Sequence, residues 1–457
     1  MRLRWAAILS GAADTFDGRT VEIAGWPLAA SEAARGFMLL PEPPCCGGCP
    51  PADPRGAVEV EGTTPYPGAC LLRGIWRCRR GDPEGWRYRL EGAVALTGER
   101  PSLRVTRRGL LAGAPLLCLG APLAAQGPEA ASSAPLPPEG GVDLHGHGGA
   151  ILRVRRETGT QAPFAPLAGP MREARLSVAV LAIVPDSLLN RLTPEGRIAP
   201  ARDPAPGELR AFAEAAFGRV HALAREQGLP VLRTAAELDA ARPDQPSILV
   251  ASEGGDFLEG EVGALDAAFA IHALRSLQLT HFRVNELGDV QTAAPVHGGL
   301  TAFGAEVVRR CEALGIIVDV AHGTEALVRR AVDVARKPLI LSHAAIARGP
   351  RARSRLITAD HARLVASTGG VVGLWPHGEV FADLAALAEG TARLADAVGP
   401  AHVALATDLG GIIGRSVVPE YAVLPAFATE LRRRFSADEV AGILGGNARR
   451  VARACLP

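Results

Sequence analysis

Gly141-Val142-Asp143-Leu144-His145-Gly146-His147 opens with a short apolar run, Gly141–Leu144, and closes on two imidazoles; the chain then repeats the design. Seven further runs follow: Leu176–Ile183, Ser247–Ala251, Ser276–Leu279, Ile316–Val320, Leu339–Leu341, Val371–Leu374 and Val403–Ala406. Between several of them lie segments with helical spacing, such as Ala305–Ala313, Glu325–Ala335 and Ala362–Ala366. Alternating strands and helices signal a parallel α/β architecture. Eight such units within residues 141–457 predict a closed (β/α)8 TIM barrel.

Barrel enzymes gather their chemistry at the C-terminal ends of the strands. Those ends carry His145 and His147 after the first run and Glu253-Gly254-Gly255 after the third. Thr280-His281, Ala321-His322 and Ser342-His343 follow the fourth, fifth and sixth, and Thr407-Asp408 the eighth. Imidazoles and carboxylates without a thiolate suit a hard-to-borderline divalent metal. A lone histidine at a strand end is more often a hydrogen-bonded structural residue. Five of the eleven histidines at four strand ends, beside a glutamate and an aspartate, point instead to a metal site. His145 and His147 are two apart on a strand and so face the same way. Two ions ~3.5 Å apart need a bridging anion from the protein. Lys337, the only lysine, precedes the sixth run and is poorly placed to carry a carboxylated bridge, which favours Glu253. His221 and His361 fall in helical segments and read as surface residues, whereas His297 and His377 fall in loops within reach of the mouth but are not counted among the site residues.

Ahead of the barrel the composition changes. The chain has 457 residues and suits two or three units. It is 48% hydrophobic but only 4% aromatic, so aliphatic packing must dominate the core. A net charge of +1 argues against an electrostatic nucleic-acid binder. Residues 1–100 read as a small β-rich, OB-like domain with runs at Thr20–Ala24, Gly36–Leu40, Ala57–Glu61, Cys70–Cys78 and Trp86–Leu96. Five of the eight cysteines lie there: Cys45, Cys46, Cys49, Cys70 and Cys78. The C-x-x-C pair at Cys46 and Cys49 leaves zinc or copper binding, a disulfide and free thiols all open.

Residues 101–140 read as signal and linker. Thr106-Arg107-Arg108-Gly109-Leu110-Leu111 is a twin-arginine pattern followed by the apolar run Leu110–Ala125, too short and too rich in Gly and Pro for a comfortable spanning helix. Gln126 to Gly141 is a Pro/Ala/Ser-rich linker. A signal placed inside the chain has two explanations: residues 1–100 are a cytoplasmic domain on an uncleaved anchor, or translation begins near Val105. The segment predicts export to the periplasm or a membrane tether through residues 109–125, and a cytoplasmic protein where it is not used.

The strand-end residues carry a resemblance to the membrane dipeptidase (renal dipeptidase) family, zinc peptidases of the amidohydrolase barrel superfamily. It runs from about Val142 to Val451 and includes Glu253-Gly254-Gly255, Leu279-Thr280-His281, Gly299-Leu300-Thr301 followed by Gly304, and Asp319-Val320-Ala321-His322. Leu341-Ser342-His343, Gly369-Gly370-Val371-Val372-Gly373, Thr407-Asp408 and Ile443-Leu444-Gly445-Gly446-Asn447 complete the ordered set. By this resemblance His145, His147 and Glu253 hold one zinc, and Glu253, His322 and His343 a second. His281 polarises the scissile carbonyl and binds substrate, Asp408 is the general acid and base, and Arg355, with Arg351 and Arg353 close by, grips the substrate's terminal carboxylate. Two departures stand out. The family often has His-x-Asp where this chain has His145-Gly146-His147, and Asp-Phe-Asp-Gly where this chain has Asp408-Leu409-Gly410-Gly411.

The implied function is zinc-dependent hydrolysis of dipeptides, with a D-residue at the C-terminal side among the candidates. The alternatives are another amide or lactone hydrolase on the same scaffold, or a non-catalytic metal-containing binding protein. The expected partner is a small peptide and no nucleic acid, with a homodimer left open.

Overall fold

The computed structural model describes residues 3, 8, 12–29, 36–40, 58–62, 70–78, 88–96, 137, 139–147, 166–193, 198–347, 355–412 and 414–457. Cys45, Cys46, Cys49, Arg351, Arg353 and the twin-arginine segment lie outside them. The described residues divide into two compact units, one within the first 96 residues and one from residue 137 onward.

In the first unit β1 (Thr20–Ala29), β2 (Gly36–Leu40), β3 (Val58–Glu61), β4 (Cys70–Cys78) and β5 (Tyr88–Ala95) close into a barrel in the order β1-β2-β3-β5-β4. β1 pairs with β2 through one half and with β4 through the other, and only β3 and β5 run parallel. Period-two alternation decides which residues face in. Val58 and Val60 are buried while Glu59 and Glu61 meet Arg89 on the outside. Trp76 stacks on Tyr88 in the core, and its indole N–H donates to the Ala13 carbonyl. The β-rich, OB-like fold read from the sequence is therefore present. β1 extends five residues beyond the expected run.

The second unit is the parallel barrel. Its strands are β6 (Gly141–Gly146), β7 (Leu176–Ile183), β10 (Ser247–Glu253), β11 (Leu274–Gln278), β12 (Ile317–Asp319), β13 (Ile340–Ala344), β14 (Val371–Leu374) and β15 (Val403–Leu405), hydrogen-bonded in that order. A short ribbon, β8 (Asn190–Leu192) with β9 (Ile198–Pro200), is inserted after β7. Returning helices include α1 (Ala168–Glu173), α2 (Glu208–Gln227), α3 (Ala235–Ala240), α4 (Gly263–His272), α5 (Ala302–Leu314), α6 (Glu325–Val334), α7 (Ala359–Ser367) and α8 (Leu384–Val398). α9 (Leu424–Arg432), α10 (Ala437–Ala441) and α11 (Asn447–Cys455) close the chain.

Local chemistry sets where the helices begin. Thr301, Thr324, Thr358 and Asp383 each accept a backbone N–H of the first turn of α5, α6, α7 and α8. Such caps satisfy donors that a helix leaves unpaired, worth about 1 kcal/mol each. Along β10, Ile248 and Val250 join the larger core cluster. Leu249 and Ala251 join a second one with Val178, Val180, Ala182, Ile317 and Ile340. Both faces of the strand are thus buried, which is why the sequence shows continuous apolar runs rather than alternation.

The barrel closes through a side chain. Between β6 and β15 the backbone contributes Asp408 N–H to the His145 carbonyl and His147 N–H to the Leu409 carbonyl. Asp143, wholly buried, accepts from Thr407 N–H at 2.8 Å and from the hydroxyls of Thr407 and Tyr421, the latter at 2.9 Å. Burial raises its carboxyl to about 6 against these donors. Asp143→Ala strands buried donors and should cost roughly 3 kcal/mol or more, whereas Tyr421→Phe removes one bond and should cost about 1 kcal/mol. Denaturant unfolding of both variants checks the ranking; equal losses would exclude Asp143 as the shared acceptor.

Candidate metal centre

Glu253 ends β10 on the same face as Leu249 and Ala251, and the chain then turns sharply. Gly254 takes φ +104, where a Cβ would lie 2.6 Å from Asp256 Oδ2. That turn leaves the Glu253 carboxylate buried at the barrel mouth, ringed by imidazoles. Oε1 lies 3.1 Å from His322 Nε2, 3.5 Å from His343 Nε2 and 3.6 Å from His145 Nε2. Oε2 lies 3.3 Å from His147 Nε2 and 3.4 Å from His281 Nε2. Asp408 Oδ1 stands 3.2 Å from His147 Nε2 on the far side.

Hydrogen bonds behind the rings show what this arrangement accepts. His322 Nδ1 lies 3.0 Å from the His281 carbonyl oxygen, which can only accept, so the ring proton sits at Nδ1. Burial pushes the His322 and His343 rings well below their ordinary pKa, and both are neutral. The His322 Nε2 lone pair therefore faces a carboxylate oxygen at 3.1 Å and His343 Nε2 at 3.0 Å. Lone pairs aimed at one anion are satisfied by a cation among them, and neutral imidazoles oriented by carbonyls are the form in which histidine binds metal. The residues fit a divalent ion. Three sets have ligand atoms all within 4.8 Å of one another: His145, His147 and Asp408; His145, Glu253 and His343; and Glu253, His281 and His322. Glu253 belongs to two of these sets, but His281 and Asp408 stand closer to ligand positions than the sequence reading expected.

Two residues at the mouth have left-handed backbones, His322 at φ +64 and Asp408 at φ +48. Such conformations cost of order 1 kcal/mol or more outside glycine and re-aim the side chain at the strand end. Gly411 lies against both Asp408 Oδ1 and the His147 ring, so no side chain fits there. The buried Asp408 carboxyl is held below its usual range: burial acts against this most strongly, but the bond to His147, the charges of His147 and His145 and the bond from Trp375 together outweigh it.

Sequence reasoning missed four contributors. Asp186, in the 3-10 turn Pro185–Leu188 after β7, is wholly buried, sits 2.7 Å from His281 Nδ1 and accepts from Phe282 N–H. Burial penalises a charged His281 ring, yet the carboxylates of Asp186 and Glu253 overcome it and raise the ring to about 9. Trp375 follows β14 and donates its indole N–H to Asp408 Oδ2 at 2.9 Å. Asp143 closes the barrel, and Gln291 Oε1 accepts from Arg355 Nη1 at 2.7 Å. Asp186 and Trp375 follow the second and seventh runs, so the strand-end rule applied there would have found them.

Arg355 is buried beside this cluster, and burial lowers its guanidinium to about 10. Its Nη2, Gln291 Nε2 and Thr292 Oγ1 find no partner among the described residues. Other histidines resolve differently. His361 is buried, correcting the surface reading: its helix, α7, turns that side chain into the core. His221 is half-buried and contacts the His272 carbonyl, and His297 is exposed. His377 packs on Trp375 with ring centroids 4.4 Å apart. Lys337 Nζ donates to the Cys455 carbonyl. Gly411→Ala should weaken divalent-metal retention about tenfold or more, while Gly169→Ala, which meets open space, should not. Metal content after dialysis, with circular dichroism to report folding, checks this; equal retention by both variants would exclude the close approach as a constraint.

The family model described as membrane dipeptidase (peptidase family M19) matches residues 201–455. Dipeptidase aclJ of Aspergillus oryzae is 29% identical over 220 residues, 46% of this chain and 51% of that protein. Dipeptidase 3 of Homo sapiens is 27% identical over 218 residues, 45% of this chain and 44% of that one. The chain spans about half the length of the curated relatives it matches. A metallo peptidase from Rhodobacter sphaeroides, solved with a phosphinate mimic of the dipeptide L-Ala-D-Ala, superposes with a TM-score of 0.58 at 20% identity, covering 69% of this chain and 99% of that one. That likeness shows the shared barrel. With the family model spanning more than half of its length, this chain belongs to the membrane dipeptidase family of metallopeptidases.

Proposed function

We propose that the barrel hydrolyses dipeptides with two zinc ions bridged by Glu253, one held with His145 and His147 and the other with His322 and His343. The observation that carries this reading is the juxtaposition of the imidazole-ringed Glu253 carboxylate with the buried, half-satisfied Arg355 guanidinium. The first would hold the metal ions beside the scissile bond, and the second would take an anion such as a peptide's terminal carboxylate. When bound, such an ion pair supplies Lewis acidity and lowers the pKa of water toward neutrality. Arg355 takes the terminal carboxylate, with Gln291 holding Nη1 and leaving Nη2 to the substrate. His281, held by Asp186 through Nδ1, turns Nε2 toward the carbonyl oxygen and stabilises the charge that develops there. Asp408 accepts the proton of the attacking water and returns it to the departing amine.

His147 in place of the frequent aspartate removes one anionic ligand and makes the centre more electropositive. Asp408, 3.2 Å from its Nε2, is the nearest compensating carboxylate. The L-Ala-D-Ala mimic bound by the Rhodobacter protein supports a D-residue at the C-terminal side as a substrate class. We further propose three segments, 1–100, 101–140 and 141–457, with the twin-arginine pattern at Arg107-Arg108 directing export or a tether through residues 109–125. Among the described residues no helix is long and apolar enough to cross a membrane.

Zinc content and turnover of a dipeptide panel on the full chain test this reading. About two zincs per chain are expected. Asp408→Asn should lower kcat by about 100-fold or more with zinc retained, and Arg355→Ala should raise KM about 10- to 100-fold. Turnover of N-acyl amino acids or lactones in place of dipeptides would overturn the substrate; failure to bind zinc would overturn the ligand set.

A further inference from the structure

The seventh strand end supplies a side chain that the proposed chemistry leaves unused. Trp375 is only 8% exposed, and its backbone N–H donates to the Ala344 carbonyl at 2.8 Å, which ties it to the end of β13. The indole N–H donates to Asp408 Oδ2 at 2.9 Å, while Oδ1 of the same carboxylate faces His147 Nε2 at 3.2 Å. The Asp408 backbone is already fixed by its bond to the His145 carbonyl, so the indole removes the remaining freedom, rotation of the carboxylate. Indole N–H is a donor only; unlike a hydroxyl it cannot reverse its polarity toward Asp408. The other contacts of the ring hold it in place: Arg355 Cζ lies 5.7 Å from its centroid and His377 packs at 4.4 Å.

We infer that Trp375 is a positioning residue for Asp408, anchoring Oδ2 so that Oδ1 alone faces the reacting centre and delivers the proton to the departing amine. The inference rests on the dipeptidase reading. In peptide hydrolysis the water oxygen bonds to the carbonyl carbon, and the C–N bond breaks with its electron pair passing to nitrogen. The proton taken from water, held meanwhile on Asp408, ends on that nitrogen. An amine cannot leave without it. A phenolate, whose conjugate acid has a pKa of about 10, leaves unprotonated. An aminoacyl ester of a carboxyphenol keeps both substrate charges while removing the need for proton delivery.

The test compares wild type and Trp375→Phe, as full chains, on a dipeptide and on the matching aminoacyl carboxyphenyl ester, with zinc content measured alongside. On the dipeptide the variant should lose about 10- to 100-fold in kcat, with KM within about threefold and zinc unchanged; on the ester, where Asp408 still takes the water proton but need not deliver it, the loss in kcat should be smaller by about threefold or more. Equal losses on both substrates, or no loss on either, would overturn the inference. A second measurement does not depend on turnover. Five tryptophans give five indole N–H resonances in the 15N-tryptophan-labelled chain, and the one missing from Trp375→Phe is that of Trp375. It should move on Asp408→Asn; a resonance that stays put overturns the contact. If wild type cleaves neither substrate, the dipeptidase reading fails by itself and the resonance still decides whether Trp375 holds Asp408. If the Phe variant does not fold, Trp375→His, which retains a ring N–H, and the Asp408→Asn shift serve instead, and loss of that shift overturns the inference.

Discussion

A buried carboxylate surrounded by five imidazoles is the constraint from which the rest of the barrel's mouth follows. The two Glu253 oxygens lie 3.1 to 3.6 Å from the Nε2 atoms of all five rings, and neutral His322 turns its lone pair toward them. The carbonyl of His281 sets the tautomer of His322, and that of Ala182 lies 3.2 Å from His147 Nδ1. The backbone of the barrel thus prepares the donor set from behind, and the cavity is preorganised for cations before any substrate arrives. Cations bound by these groups would couple metal binding to the stability of the strand ends.

That constraint reaches outward in two directions. Asp143 lies two residues before His145 and joins β6 to β15 through Thr407 and Tyr421, so the seam that closes the barrel also sets the spacing between His145 and Asp408. On the opposite side Asp186 reaches His281 from the loop after β7, and Gln291 reaches Arg355 from the long loop after β11. Charged groups in the mouth are therefore paired by residues that do not face the reacting centre. Among the described residues three donors without a partner, Arg355 Nη2, Gln291 Nε2 and Thr292 Oγ1, belong to Arg355 and the loop that holds it.

Much of this was legible in the chain itself. All eight barrel strands fall on the apolar runs to within a few residues, because strands covered on both faces must be apolar throughout and turn residues punctuate them. His145, His147, Glu253, His281, His322, His343 and Asp408 were each found by one rule, a polar residue where an apolar run stops, and the folded chain brings all of them together. The rule was applied unevenly: the second and seventh runs were passed over, and Asp186 and Trp375 went with them. His361 was misjudged for another reason. Ala362 and Val365, the latter four residues on, are the apolar residues of the buried face of its helix, and that spacing was not applied to the histidine.

The sequence by itself determined the order of strands, the residue types at their ends and thus a cation-binding mouth, since these depend on local pattern and on the parallel topology that such a pattern permits. Tertiary structure alone decided which carboxylate oxygen faces which ring, which nitrogen carries the proton, and that an indole N–H anchors Asp408. Those choices depend on contacts between residues far apart in the chain, Asp143 with Tyr421 and Trp375 with Asp408 among them. Spacing along the chain holds no record of them, because a hydrogen bond is set by distance and direction in space, and these are fixed only once the barrel has closed.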